Sequence, residues 1–131
     1  MIRATRPLLV IATALAMVVL GACVSQQQTD PSACAQSTVT LAATLPATGK
    51  LQPENLNVCE SQRVTLTVTS KREGAVHLHG YDDQNAEVEV TSGKDAALTF
   101  TANHVGQFVI EFHPADGSDE SQVGLLTVNV R

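Results

Sequence analysis

Two short stretches of this 131-residue chain place metal-ligating side chains at the spacing of a β-strand. The first is Ala75-Val76-His77-Leu78-His79-Gly80-Tyr81, and the second is Val109-Ile110-Glu111-Phe112-His113. In extended backbone, residues two apart face the same way, so His77 and His79 share one face while Val76 and Leu78 take the other. Glu111 and His113 repeat that arrangement against Ile110 and Phe112. If the two strands are neighbours, three imidazoles and a carboxylate converge, a donor set suited to Cu(II) or Zn(II). The same residues also fit a plainer reading, histidines on the solvent face of a sheet with a surface ion pair to Glu111. His104, in Asn103-His104-Val105-Gly106, lies off the pattern and is expected to be solvated. No serine- or cysteine-type nucleophile constellation is visible, and the expectation is a protein that is not an enzyme.

The elements that must position these residues read as strands. Val64, Leu66 and Val68 alternate with Thr65, Thr67 and Thr69; Leu98 and Phe100 alternate with Ala97, Thr99 and Thr101. Residues 38–45, 86–90, 108–113 and 124–130 complete the pattern, the last with Leu126, Val128 and Val130 on a common face. Period-two alternation rich in Val and Thr signals half-buried strands. Ser92-Gly93-Lys94, Val105-Gly106 and Asp116-Gly117-Ser118 supply turn-like punctuation. Beyond the first segment no stretch carries helical periodicity, so the expected fold is an all-β, antiparallel sandwich. With no Trp, one Tyr and three Phe, its core must be built largely of Val, Leu and Ile.

The start of the chain reads as an address. Arg3 and Arg6 precede an apolar run from Leu8 to Leu20 broken only by Thr13, and Leu20-Gly21-Ala22-Cys23 closes it. A membrane span needs about 20 apolar residues, whereas a positive start, a shorter apolar run and small residues describe an export signal. The tetrapeptide resembles the bacterial lipobox, which implies lipidation of Cys23 and cleavage just before it. Two or more acyl chains hold a protein stably at a membrane. The expected organisation is therefore a signal peptide at 1–22, a polar tether at 23–33 and one folded domain at 34–131. That places the domain on the extracytoplasmic face of the cell membrane, held there by lipid.

Cleavage would remove Arg3 and Arg6 from the eight basic residues, leaving six against thirteen acidic ones and a net charge of about −7. Such a balance argues against nucleic acid as a partner. With Cys23 acylated, Cys34 and Cys59 remain, and an even pair in an oxidising compartment reads as a disulfide.

Residues 58–130 resemble the cupredoxin-like domains of exported bacterial proteins. The likeness rests on Val76-His77-Leu78-His79-Gly80-Tyr81, on Phe100–Phe108 with its Gly106-Gln107-Phe108 turn, and on the closing strand Val123–Val128. It implies a Greek-key sandwich and assigns the first copper ligand to His79. The resemblance departs where a blue-copper protein carries its thiolate: that register holds Phe112, and no Cys or Met follows Cys59. A blue site needs a Cys thiolate with two His, so the implied site is a thiolate-free one of His77, His79, Glu111 and His113. Copper is the expected metal, with zinc also open, and capture or buffering is the expected role. The alternative is a metal-free sandwich that docks an envelope protein partner.

Overall fold

A computed structural model describes residues 33–131; the signal-like segment, the lipobox with Cys23 and nearly all of the tether lie outside the described residues. Eight strands follow a short 3-10 turn at Ala33–Ala35: β1 (Thr38–Leu45), β2 (Asn55–Cys59), β3 (Arg63–Ser70), β4 (Gly74–Leu78), β5 (Glu87–Val90), β6 (Asp95–Thr101), β7 (Gly106–Pro114) and β8 (Ser121–Asn129). They form a three-stranded sheet in the order β1-β3-β6 and a five-stranded sheet in the order β2-β8-β7-β4-β5. Among the described residues no helix is long and apolar enough to cross a membrane.

Each strand turns its apolar residues toward the opposite sheet. Val64, Leu66 and Val68 of β3 join Leu98 and Phe100 of β6. Facing them are Val76 and Leu78 of β4, Ile110 and Phe112 of β7, and Leu126 and Val128 of β8, all at most 3% exposed. This is the all-β sandwich expected from the alternation. Two pairings differ from a purely antiparallel arrangement: β1 runs parallel to β3, and β2 parallel to β8. Both are edge strands whose chain crosses to the other sheet before their partner forms, so a hairpin turn never fixes their direction.

Strand β2 has no counterpart in the sequence expectation, because its alternation rests on Leu56 and Val58 alone. The closing strand also begins earlier and ends sooner than expected, and Val130 lies outside it, 72% exposed. Between β7 and β8 the register slips: Ile110 pairs with Gly124 but Glu111 pairs with Gln122, leaving Val123 as an extra residue. This β-bulge lets Val123 and Gly124 both face inward. The carbonyl of Val123, outside the ladder, accepts a hydrogen bond from Leu51 N–H at 2.8 Å.

The N-terminal edge is fastened twice. Cys34 and Cys59 form a disulfide with their Cα atoms 5.4 Å apart. Beside it Gln62, only 1% exposed, accepts from Cys59 N–H at 2.7 Å and donates to the carbonyls of Ala33 and Gln36 at 2.8 and 2.9 Å. A buried amide that satisfies three backbone groups leaves them without partners when removed. Gln62→Leu is therefore expected to lower the unfolding free energy by about 1–3 kcal/mol, measured by urea denaturation, whereas an unchanged midpoint would show that water replaces the amide.

Candidate metal centre

The site sits on the outer face of the five-stranded sheet, where β4 and β7 are direct antiparallel neighbours. His77 stands opposite Glu111 and Ala75 opposite His113. Because Val76, Leu78, Ile110 and Phe112 are drawn into the core, the intervening residues must point outward. His79 lies one residue beyond the end of β4, and its N–H still bonds to the Val109 carbonyl at 3.0 Å, so it keeps the strand's alternation. All four residues singled out in the sequence thus come together.

Two glycines shape the ends of this ladder. Gly74 has φ of +152°, and a Cβ there would be driven into the carbonyl oxygen of His113 and the ring of Phe112. Gly80 turns the chain after His79 with φ of +80°, and a Cβ would meet Phe108 Cδ1 at 2.7 Å. Behind that turn Tyr81 plugs the core, fully buried, with its ring 5.0 Å from both Phe100 and Phe108. Its hydroxyl donates to the His104 carbonyl at 3.1 Å, and burial pushes its pKa upward. Gln84 accepts from Thr101 N–H at 2.8 Å and ties the same loop to β6. The loop is thereby held so that Asp82 folds back over His77.

The imidazoles are close. The rings of His77 and His79 have centroids 4.5 Å apart, and those of His77 and His113 are 5.6 Å apart. Each of the three offers a nitrogen within 4.8 Å of the others. His113 stands diagonally from His77 across the ladder, with only the methyl group of Ala75 directly opposite it. A carboxylate accompanies each ring. His77 Nε2 lies 2.9 Å from Asp82 Oδ1, His79 Nε2 lies 2.6 Å from Glu111 Oε2, and His113 Nδ1 lies 3.0 Å from Glu120 Oε1. The hydrogen bond to His77 holds the Asp82 carboxyl below its ordinary range.

One buried atom of the site is left without a hydrogen bond. His113 Nε2 is buried, has no hydrogen-bond partner, and stands 3.6 Å from Glu111 Oε2. Glu111, His113 and Glu120 form a second group of potential ligands that overlaps the first at His113. Asp82 and Glu120 were not anticipated from the sequence. Asp82 lies five residues past His77 across a glycine turn, and Glu120 lies seven past His113 across the β7–β8 loop, separations that carry no strand-spacing signal. His104 is exposed and lies apart from the trio, its ring 5.8 Å from that of Tyr81.

No protein-family profile matches the chain, and no curated protein matches it in sequence. Solved structures match it in shape. An apo-form copper binding protein aligns with a TM-score of 0.55 at 12% identity, over 72% of this chain and 90% of that one. Auracyanin from Roseiflexus castenholzii aligns with a TM-score of 0.51 at 19% identity, over 71% and 98%. The copper nitrite reductase of Nitrosomonas europaea gives 0.57 at 16% identity, over 72% of this chain but 42% of its own. Identities this low establish architecture alone: the fold is the cupredoxin-like β-sandwich.

Since the β4–β7 contact carries the site, its glycine is a direct probe. Gly74→Ala is expected to cost at least about 1 kcal/mol of stability, because its native backbone and the adjoining carbonyl both reject a side chain. Chemical denaturation checks this, and a variant as stable as the parent would show that β4 can shift without loss.

Proposed function

We propose that this chain is a lipid-anchored, extracytoplasmic metal-binding module, with copper as the favoured ion and zinc as the competitor, acting in capture or buffering rather than catalysis. His77, His79 and His113 would supply nitrogen and Glu111 oxygen. The observation that carries this reading is the unpartnered His113 Nε2 facing Glu111 Oε2 at 3.6 Å within the imidazole trio. Two ligands each about 2.0–2.1 Å from a tetrahedral ion stand about 3.3 Å apart, so this gap is close to what an ion would require. Similarity of shape to copper proteins supports copper over zinc. Attachment through Cys23 would place the site outside the cytoplasmic membrane and follows from the lipobox-like tetrapeptide.

A blue-copper centre does not fit. Cys34 and Cys59 are paired with each other, and the chain holds no Met after Met17. Imidazole and carboxylate donors suit Cu(II) and Zn(II), while the soft ligands that favour Cu(I) are missing from the set. The expected spectrum of the copper-loaded protein is a weakly coloured Cu(II) species without thiolate charge transfer.

Titration of the detergent-solubilised, full-length protein with Cu(II), followed by electron paramagnetic resonance, tests the proposal. One equivalent showing nitrogen hyperfine structure is expected. Replacing His77 and His79 together by Ala should abolish it, and His113→Ala should weaken binding at least tenfold. Binding that persists unchanged in the double variant would remove this site as the metal centre. Absence of any binding would instead favour a metal-free sandwich that docks an envelope protein.

A further inference from the structure

The metal reading leaves open which nitrogen of each ring would act as donor. An imidazole has two, and a neutral ring presents one as N–H and the other as a lone pair. An ionised carboxylate can only accept, so a ring nitrogen hydrogen-bonded to it must carry the proton. His77 Nε2 meets Asp82 Oδ1 at 2.9 Å, and His113 Nδ1 meets Glu120 Oε1 at 3.0 Å. We propose that Asp82 and Glu120 are positioning residues that select opposite tautomers in these rings, leaving His77 Nδ1 and His113 Nε2 as the metal-facing nitrogens. The inference rests on the metal reading for its purpose but not for its geometry.

Two independent features carry it. The first is His113 Nε2, buried and without a hydrogen bond, 3.6 Å from Glu111 Oε2. That is the condition expected if the ring's proton sits on Nδ1, donated to Glu120, and the lone pair on Nε2 faces the Glu111 carboxylate. Two acceptors facing each other at 3.6 Å repel unless a cation stands with them.

The second feature is the β-bulge. The ladder places Glu111 opposite Gln122 and Phe112 opposite Ser121, so its next step brings His113 level with Glu120. Had the register of Ile110 with Gly124 run on unbroken through Val123, Ser121 would stand opposite His113 instead. The bulge therefore delivers a carboxylate to the ring where an unbroken strand would deliver a hydroxyl. Asp82 reaches His77 by a separate route, the glycine turn at Gly80 and the Tyr81 anchor. Partners of this kind fix ring orientation and raise ligand basicity, and losing one costs 10–100-fold in metal affinity.

The test separates the tautomers from the metal. Imidazole nitrogen shifts of the metal-free, full-length protein in detergent, recorded by NMR at about pH 8 where free imidazole is neutral, should show Nε2–H for His77 and Nδ1–H for His113. Glu120→Ala should move His113 toward the Nε2–H form and weaken Cu(II) binding 10–100-fold. Asp119→Ala, which removes the same charge from the same loop, should do neither. A His113 that is an imidazolium or an Nε2–H tautomer in the parent, or one that Glu120→Ala leaves unchanged, overturns the inference. If the tautomers respond as stated while neither protein binds copper, the positioning role stands and the metal function falls.

Discussion

The antiparallel contact between β4 and β7 is the constraint on which the site depends. Its ladder has two faces that cannot be chosen independently. Val76, Leu78, Ile110 and Phe112 are each at most 2% exposed, and full burial of such side chains is worth about 1.5–3 kcal/mol apiece. A one-residue slip of either strand would turn its whole apolar set to solvent. The hydrophobic core thus sets the register, and the register places His77 beside Glu111 and His113 diagonally across. Ion-pair energies on a partly exposed surface are too small to fix this arrangement themselves, being about 0–1 kcal/mol. The imidazoles are held where they are by residues on the opposite side of the sheet.

Around that ladder, irregular features do the fine placement. Gly74 lets β4 approach the His113 carbonyl, Gly80 turns the chain directly after His79, and the bulge at Val123 changes which residue meets His113. None adds a ligand. Each determines the environment of one that the regular strands already supply. The disulfide and Gln62 perform a comparable task at the far edge, where a short 3-10 turn has little apolar surface with which to hold itself.

This division explains what was legible in the sequence. His77, His79, Glu111 and His113 could be read because face-sharing follows from period two, and the core residues between them are strongly apolar. The sandwich was legible for the same reason in β3, β6 and β7. Strand β2 was not, since Leu56 and Val58 become a strand only by pairing with β8, whose residues lie about 70 positions later. The parallel direction of β1 and β2 escaped for a related reason: nothing local encodes which way an edge strand runs when its partner belongs to another part of the chain. Asp82 and Glu120 were hidden because their positions depend on a turn and a bulge, and a bulge is invisible to any count of alternating residues.

Charge gives the outer face its chemical character. Glu87 stands opposite His77 and Glu89 opposite Ala75 on β5, and directly opposed residues in an antiparallel pair project to the same side. With Asp82, Glu111 and Glu120, five carboxylates therefore surround three imidazoles on one face. Protonated imidazoles could neutralise part of this charge. A proton on His113 Nε2 would face Glu111 Oε2 at 3.6 Å, an ion-pair distance that is longer than a hydrogen bond. On the proposed metal-binding reading, a divalent cation would meet both requirements at once, since it would offset negative charge and accept the lone pair assigned to His113 Nε2. This electrostatic argument also bears on the choice of ion. On the same reading, a face built of imidazole and ionised oxygen would stabilise two positive charges better than one, which favours a divalent ion over a monovalent one.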